Sequence, residues 1–193
     1  MAALRRSIPL RTGWKYRSRN PSTHSSTNSW QPSRTLPTEI HLDLLANGVI
    51  SNPFLGKNEE AVQWVGEQTW QYETYFEVPQ DAFESLYGHI ELVFEGLDTY
   101  AAVELNGREI LRSENMFVSH RVQVAEDMLV KDNGIFGQQR LRITFDNAER
   151  LGAEEAANYP NHQWFTFNSG TSRLATRKAQ YHYVSRTYFR RFP

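Results

Sequence analysis

A period-two alternation of apolar and polar residues constrains the fold of this chain more than any other feature. In residues 70–78 one face carries Trp70, Tyr72, Thr74, Phe76 and Val78, and the other carries Gln71, Glu73, Tyr75 and Glu77. Residues 89–95 and 140–145 repeat the pattern. Side chains on a strand alternate between the two faces of a sheet, so each segment is predicted to be a strand with one buried face.

The strongest turn signal is Asn106-Gly107, which separates two short β-like runs. Both residue types tolerate the positive φ angles of a two-residue hairpin turn. Pairing through this turn places Val103 opposite Ile110 and Glu104 opposite Glu109. Because two glutamates that face each other repel, that face is expected to be wet or the register slightly shifted. Weaker strands are predicted at 12–17, 121–125, 164–168 and 179–183.

Helical signals are few and short. Residues 41–46 are predicted to form one or two turns, with Thr38 as the N-cap and Asn47-Gly48 at the end. A second short helix is predicted from Glu149 to Ala157, closed by Pro160. Many short strands with one or two short helices indicate an all-β fold, a jelly roll or β-sandwich.

Length and composition exclude several classes of protein. With 193 residues the chain fits one domain and is too short for a catalytic barrel of roughly 250 residues. The absence of cysteine excludes disulfide scaffolds, Cys-ligated zinc, iron–sulfur clusters and thiol catalysis. No apolar run reaches the roughly 18 residues of a membrane span, so no membrane partner is expected.

Charge is unevenly distributed along the chain. Residues 1–37 carry seven basic side chains and no acidic one, and all 22 acidic residues lie between residues 38 and 170. The acidic middle opposes phosphate binding, and no nucleic-acid motif is present, so no nucleic-acid partner is expected. The Arg-rich and Ser-rich start is similar to a mitochondrial presequence. Pro9, Gly13 and Pro21 interrupt the helix that such a segment needs, which favours a cytoplasmic location.

The residues whose side chains could take part in catalysis do not form a recognisable catalytic motif. No nucleophile elbow, phosphate loop or dinucleotide fingerprint occurs. The six histidines lack the spacing of metal ligands, so no metal site is predicted. A retaining glycosidase needs two carboxyl groups about 5–5.5 Å apart. The acids at 91, 95, 104, 109, 154 and 155 are instead expected to be solvated charges, and no catalytic residue is assigned.

Aromatic side chains leave one alternative open. Some of them could form a platform on which a sugar ring stacks, whereas most are expected to fill the core, because aromatic residues bury large areas. The candidates are Trp64, Trp70, Trp164, Phe165, Phe167, Tyr181 and Tyr183.

Several ordered motifs resemble a known family. They are Pro37-Thr-Glu-Ile-His-Leu-Asp-Leu-Leu-Ala-Asn47, Asn52-Pro-Phe-Leu-Gly-Lys-Asn58, Trp64-Val-Gly-Glu-Gln-Thr-Trp70, Leu105-Asn-Gly107, Glu114-Asn-Met-Phe117 and Arg173-Leu-Ala-Thr-Arg-Lys-Ala-Gln-Tyr-His-Tyr183. Together they resemble the N-terminal domain of β-mannosidases of glycoside hydrolase family two, especially the fungal intracellular type. The resemblance covers roughly residues 8–183, because Ile8-Pro-Leu-Arg-Thr-Gly-Trp14 is similar to the family's first strand.

The resemblance implies a galactose-binding-like jelly roll over residues 8–183, a basic leader at 1–7 and an unrelated basic tail at 184–193. In that family a later barrel supplies both catalytic glutamates, and hydrolysis requires no cofactor. The substrate is a β-mannoside or a mannan-derived oligosaccharide. The resemblance therefore implies a non-catalytic support domain, and a free-standing carbohydrate-binding module is the alternative.

The match to the family ends at Tyr183. Family members continue with Gly-Trp-Asp-Trp-Gly-Pro, which reaches the sugar pocket, whereas this chain continues with Val184-Ser-Arg-Thr-Tyr-Phe-Arg-Arg-Phe-Pro193. The substrate contacts that the resemblance implies are accordingly restricted to His182 and Tyr183, on the strand before the missing segment. The departure leads to the hypothesis of a truncated gene model, a retained intron or a frame change near the codon for Val184.

Overall fold

The structure is a computed structural model, and it describes residues 6–20, 25–83, 89–160 and 176–178. The strands in the described part are β1 (Lys15–Ser18), β2 (Gln31–Pro32), β3 (Trp70–Glu77), β4 (Ile90–Phe94), β5 (Ala101–Leu105), β6 (Arg108–Ser113), β7 (His120–Val124), β8 (Lys131–Asp132), β9 (Ile135–Phe136) and β10 (Gln138–Phe145). The α-helices are α1 (Ile40–Ala46), α2 (Asn58–Ala61) and α3 (Ala148–Ala157), with 3₁₀ turns at Ser25–Asn28, Gln63–Glu67 and Glu126–Met128. None of the described helices is long and apolar enough to cross a membrane.

The strands form a large antiparallel sheet and a smaller one. The large sheet has the order β2-β1-β3-β10-β5-β6, and β4 pairs with β7 in the second sheet. A further small ribbon joins β8 to β9. Apolar side chains from both main sheets meet in one core, which includes Val103 of β5, Leu92 of β4 and Val124 of β7. This arrangement confirms the predicted all-β sandwich with few short helices.

An aromatic cluster fills part of this core. The ring of Trp70 lies 6.1 Å from the ring of Tyr16 and 6.1 Å from that of Trp64, and Tyr72 meets Phe145 edge to face at 5.9 Å. The Trp70 indole also donates a hydrogen bond to the Val65 carbonyl at 2.9 Å. Of the candidate platform residues, the two described tryptophans therefore pack in the core (Trp70) or against it (Trp64). The other five candidates lie outside the described residues.

The prediction of one buried face on β3 is only half right. The predicted inward face is buried at Trp70, Tyr72 and Thr74, but Gln71 and Glu73 on the opposite face are also only 7% and 6% exposed. On that second face, Arg17 of β1 donates to Gln71 Oε1 at 3.0 and 2.9 Å. Long-range polar partners, rather than apolar contacts, make this burial possible.

The indole of Trp30 covers this polar layer. The guanidinium of Arg17 lies 4.5 Å from the Trp30 ring centroid, and that of Arg142 lies 5.8 Å away. Arg142 of β10 donates to Glu73 Oε2 at 3.0 and 2.6 Å, and the Tyr75 hydroxyl donates to Glu73 Oε1 at 3.1 Å. Cation–π contacts and charge-assisted hydrogen bonds thus connect β1, β3 and β10 across the outer face.

The Asn106-Gly107 turn is confirmed. Asn106 has φ 53° and Gly107 has φ 89°, as a two-residue hairpin requires. Glu104 does pair with Glu109, but Val103 pairs with Leu111 rather than with Ile110. A bulge between residues 103 and 104 shifts the register by one residue, which corrects the predicted Val103 pairing.

Both predicted helices are present, but the first has a different cap. Helix α1 begins after Glu39, which makes no side-chain capping bond, and the Thr38 hydroxyl instead donates to Asp43 Oδ1 at 3.2 Å. In α3 the Asn147 side chain caps the Arg150 amide at 2.9 Å. The weaker strands at 12–17 and 121–125 correspond to β1 and β7. Those at 164–168 and 179–183 lie outside the described residues.

Candidate functional site

The candidate site lies at one end of the sandwich, which we call the Ala101 end. There Ala101 at the start of β5 pairs with Phe145 at the end of β10 and with Ser113 at the end of β6. In the second sheet, Phe94 at the end of β4 pairs with His120 at the start of β7. The loops 95–100 and 114–119 therefore emerge together, and loops at the end of a rigid sandwich are common places for function.

The segment 176–178 crosses the same end and is tied to both loops. Asn115 forms a parallel bridge with Arg177, and the Met116 amide donates to the Arg177 carbonyl at 3.1 Å. Gly96 approaches this region so closely that an added Cβ would lie 3.1 Å from the Met116 carbonyl oxygen. Because a side chain at residue 96 would crowd that oxygen, glycine allows the loops to meet.

Four ionisable side chains gather where these loops meet the start of α1. Lys178 Nζ lies 3.5 Å from Asp98 Oδ1, and both side chains are partly exposed. Burial by surrounding protein atoms raises the pKa of Glu39, although its side chain still reaches solvent, and the charge of Asp98 raises it further. Burial also lowers the pKa of His41 to about 3, with the charge of Lys178 as the second cause. Hence His41 is a neutral imidazole at physiological pH.

A buried carboxylate anchors helix α1 beneath this cluster. Asp43 is completely buried, and its Oδ2 accepts hydrogen bonds from the Tyr72 hydroxyl at 2.9 Å and the Ser33 hydroxyl at 3.0 Å. Its Oδ1 accepts from the Arg34 amide at 2.8 Å and the Thr38 hydroxyl at 3.2 Å. Four donors compensate for the loss of water around this carboxylate and fix the position of α1 against β3.

The cluster is suited to binding polar groups rather than to a metal. A carboxyl group with a raised pKa, a neutral imidazole and an ammonium ion supply both donors and acceptors to hydroxyl-rich or charged surfaces. Across residues 6–20, 25–83, 89–160 and 176–178, no group of three or more His, Cys, Asp or Glu side chains is placed to hold a metal ion.

The predicted substrate contacts, His182 and Tyr183, lie outside the described residues. They follow Lys178 by four and five positions in the sequence. Three of the glutamates expected to be solvated make surface ion pairs: Glu91 with Arg121, Glu109 with Arg112 and Glu154 with Arg150.

Sequence reasoning did not single out the ionisable cluster. Glu39 and His41 lie inside one motif of the family resemblance, and Lys178 lies inside another. Their presence in these motifs was the sequence signal that could have pointed to the cluster. Asp98 belongs to neither motif. Asp98 joins the ionisable cluster because its loop, residues 95–100, brings its carboxylate to Lys178.

Comparison with known proteins decides the family. The model for the glycosyl hydrolase 2 galactose-binding domain-like family matches residues 14–184. The chain belongs to this family. Beta-mannosidase B of Thermothelomyces thermophilus is 42% identical over 179 residues, and that of Emericella nidulans is 40% identical over 174 residues. These matches cover 91% and 90% of this chain but only 19% of each relative.

Solved structures agree with this family assignment. The β-D-mannosidase of Dictyoglomus thermophilum is 32% identical with a TM-score of 0.76, over 90% of this chain and 19% of that protein. An exo-chitosanase of Amycolatopsis orientalis, 18% identical with a TM-score of 0.57 over 72% of this chain and 16% of its own, shares the fold alone. The chain thus corresponds to the galactose-binding-like N-terminal domain of these β-mannosidases and spans about a fifth of their length.

Proposed function

We propose that this chain is a non-catalytic support domain of a β-mannosidase. The complete protein would hydrolyse terminal non-reducing β-D-mannose residues of β-mannosides or mannan-derived oligosaccharides. One observation carries the proposal: identity near 40% extends over nine-tenths of this chain to proteins named Beta-mannosidase B, yet covers only 19% of their length. In this proposal the sandwich occupies residues 8–183, flanked by a basic leader and a basic tail.

The acid groups of the described residues support a non-catalytic role. Retaining hydrolysis needs a carboxylate nucleophile and a protonated acid about 5–5.5 Å apart, both free to reach the sugar. The Glu39 carboxyl group comes closest to this requirement, because its pKa is raised and Asp98 acts on it electrostatically. Asp98, however, is engaged by Lys178 at 3.5 Å. Because Asp98 is paired with Lys178, the cluster of Glu39, His41, Asp98 and Lys178 favours a structural or docking role over a catalytic one.

The proposal assigns substrate contact to His182 and Tyr183. Support comes from their sequence position four and five residues after Lys178, in the segment that crosses the Ala101 end at residues 176–178. The proposed location is the cytoplasm, which Pro9, Gly13 and Pro21 support by interrupting a mitochondrial-type helix. A fluorescent fusion that accumulates in mitochondria would contradict that location.

The decisive assay measures release of nitrophenol from p-nitrophenyl β-D-mannopyranoside by the purified 193-residue chain. We expect no turnover above buffer, whereas a full-length relative assayed beside it is active. The Glu39→Gln variant serves as the matched control. If the chain shows turnover and this variant loses it, the domain is itself catalytic and the support role is wrong.

A sugar titration distinguishes the support domain from a free-standing carbohydrate-binding module. Mannose, mannobiose and galactose are added while tryptophan fluorescence is followed. A support domain that does not bind free sugar should show no saturable change, although the partly exposed Trp30 can report binding on the outer face. A curve that saturates at millimolar sugar or below would favour the binding module.

A further inference from the structure

Two adjacent apolar side chains at the Ala101 end face solvent. Phe117 is 67% exposed, more than any other described large hydrophobic residue, and Val118 next to it is 42% exposed. A single exposed apolar side chain is ordinary on a protein surface, but adjacent ones surrounded by polar residues are typical of contact surfaces. We call Phe117 and Val118 the apolar patch.

The backbone that carries the apolar patch is held in place on all sides. Asn115 Oδ1 accepts a hydrogen bond from the Phe117 amide at 3.0 Å, and the Asn115 carbonyl accepts from the Val118 amide at 3.4 Å. The Met116 amide is bound to the Arg177 carbonyl, and the Ser119 hydroxyl donates to the Glu95 carbonyl at 2.9 Å. A loop already ordered loses little conformational entropy when a partner binds to it.

Charged groups lie on the two segments that pack against the loop carrying the apolar patch. Lys178 and Asp98 form their ion pair on the segment and loop that pack against residues 115–116, and both side chains remain partly exposed. An apolar centre with a polar, solvent-accessible rim is the usual composition of a protein–protein interface. The same composition suits contact between two domains of one polypeptide.

We propose that the apolar patch is the anchor through which this domain docks against the remainder of a β-mannosidase polypeptide, with Lys178 and Asp98 at its rim. The inference rests on the proposed function. Two observations support this occupant. About four-fifths of each relative lies outside the matched region, and the segment 176–178, near the end of the family match at residue 184, crosses this same end of the sandwich.

The test uses the full chain and, as probe, Beta-mannosidase B of Thermothelomyces thermophilus without its matched N-terminal segment. Binding is measured by calorimetry for the parent chain, for Phe117→Asp and for Ile135→Asp. Ile135 is a matched control, because it is 60% exposed but lies in the β8–β9 ribbon, next to the start of β10 and away from the Ala101 end. We expect Phe117→Asp to weaken binding by roughly tenfold or more and Ile135→Asp to leave it within about twofold.

Two results would overturn docking at this patch. One is equal binding by the parent chain and Phe117→Asp, and the other is no binding by the parent chain to a probe that binds the relative's own N-terminal segment. A separate measurement needs no probe: Phe117→Asp must leave the melting temperature of the isolated chain unchanged and reduce its light scattering on warming. A large fall in melting temperature would identify Phe117 as an internal packing residue. Turnover by the isolated chain would refute the support role without altering these binding results.

Discussion

Replacing Asp43 by alanine is expected to destabilise the chain more than replacing any surface acid. The carboxylate is fully buried, and four donors lose their acceptor when it is removed. Ser33 and Thr38 are only partly buried and Arg34 is exposed, so water can replace the carboxylate for those three. The Tyr72 hydroxyl is buried and is left without that acceptor.

The size of the effect follows from these contacts. A hydrogen bond to a charged group contributes about 1.5–3 kcal/mol, and a buried donor left unsatisfied costs about 1–3 kcal/mol. With partial replacement by water, the free energy of unfolding should fall by about 3–5 kcal/mol, within the range for breaking a buried polar network. At about 2–4 °C per kcal/mol for a chain of this size, the melting temperature should fall by about 6–20 °C.

Urea unfolding followed by circular dichroism measures this change. Asp127→Ala is the matched control, because Asp127 makes a 3.5 Å ion pair with Arg108 while its side chain is 74% exposed, and it should cost under about 0.5 kcal/mol. A double-mutant cycle with Tyr72→Phe should show coupling of about 1 kcal/mol or more. If Asp43→Ala unfolds within about 1 kcal/mol of the parent chain, the assignment of Asp43 as the anchor of α1 is wrong.

Three further predictions follow from other buried polar groups. Burial, and secondly the charge of Lys178, lower the pKa of His41 from 6.5 to about 3. The stabilisation linked to neutral His41 is therefore complete above pH 6.5 and is lost as the pH falls toward 3. His41→Gln should flatten that decline in melting scans at acid pH. Burial raises the pKa of Tyr16 from 10.0 to about 12, so stability should fall as the pH rises from 10 to 12, and Tyr16→Phe should reduce that loss in alkaline titrations. Gln139 is fully buried and exchanges hydrogen bonds with the Val130 amide and carbonyl at 2.8 and 2.9 Å, so Gln139→Leu should cost about 2–4 kcal/mol in urea unfolding, and a cost near zero would contradict that role.

The fold could be predicted from the sequence where the signal is local. Alternation in residues 70–78 and 140–145 depends on strand geometry alone, and the Asn106-Gly107 turn depends on two residues that accept positive φ. The bulge that shifts Val103 onto Leu111 has no comparable local signal, because both registers bury apolar residues.

Features that depend on distant partners could not be predicted in this way. Gln71 and Glu73 are polar residues on the face that was expected to be exposed to solvent. They are buried because Arg17 and Arg142 donate hydrogen bonds to them, and these partners lie 54 and 69 positions away in sequence. The ionisable cluster has the same origin, since Glu39, Asp98 and Lys178 come from three separate segments. A pattern with a period of two residues contains no information about such pairings.

The Trp30 indole, which covers Arg17 and Arg142, has a practical consequence for anyone who shortens this protein. Strands β1 and β2 form the edge of the large sheet, and the Trp30 indole lies over Arg17 and Arg142, so these described parts of residues 15–32 are integral to the sheet. A version that starts at residue 33 would leave the hydrogen-bonding edge of β3 open and the Glu73 carboxylate less shielded. Open edges recruit other strands, so such a version should precipitate, and expression trials should retain every residue from Ile8 onward.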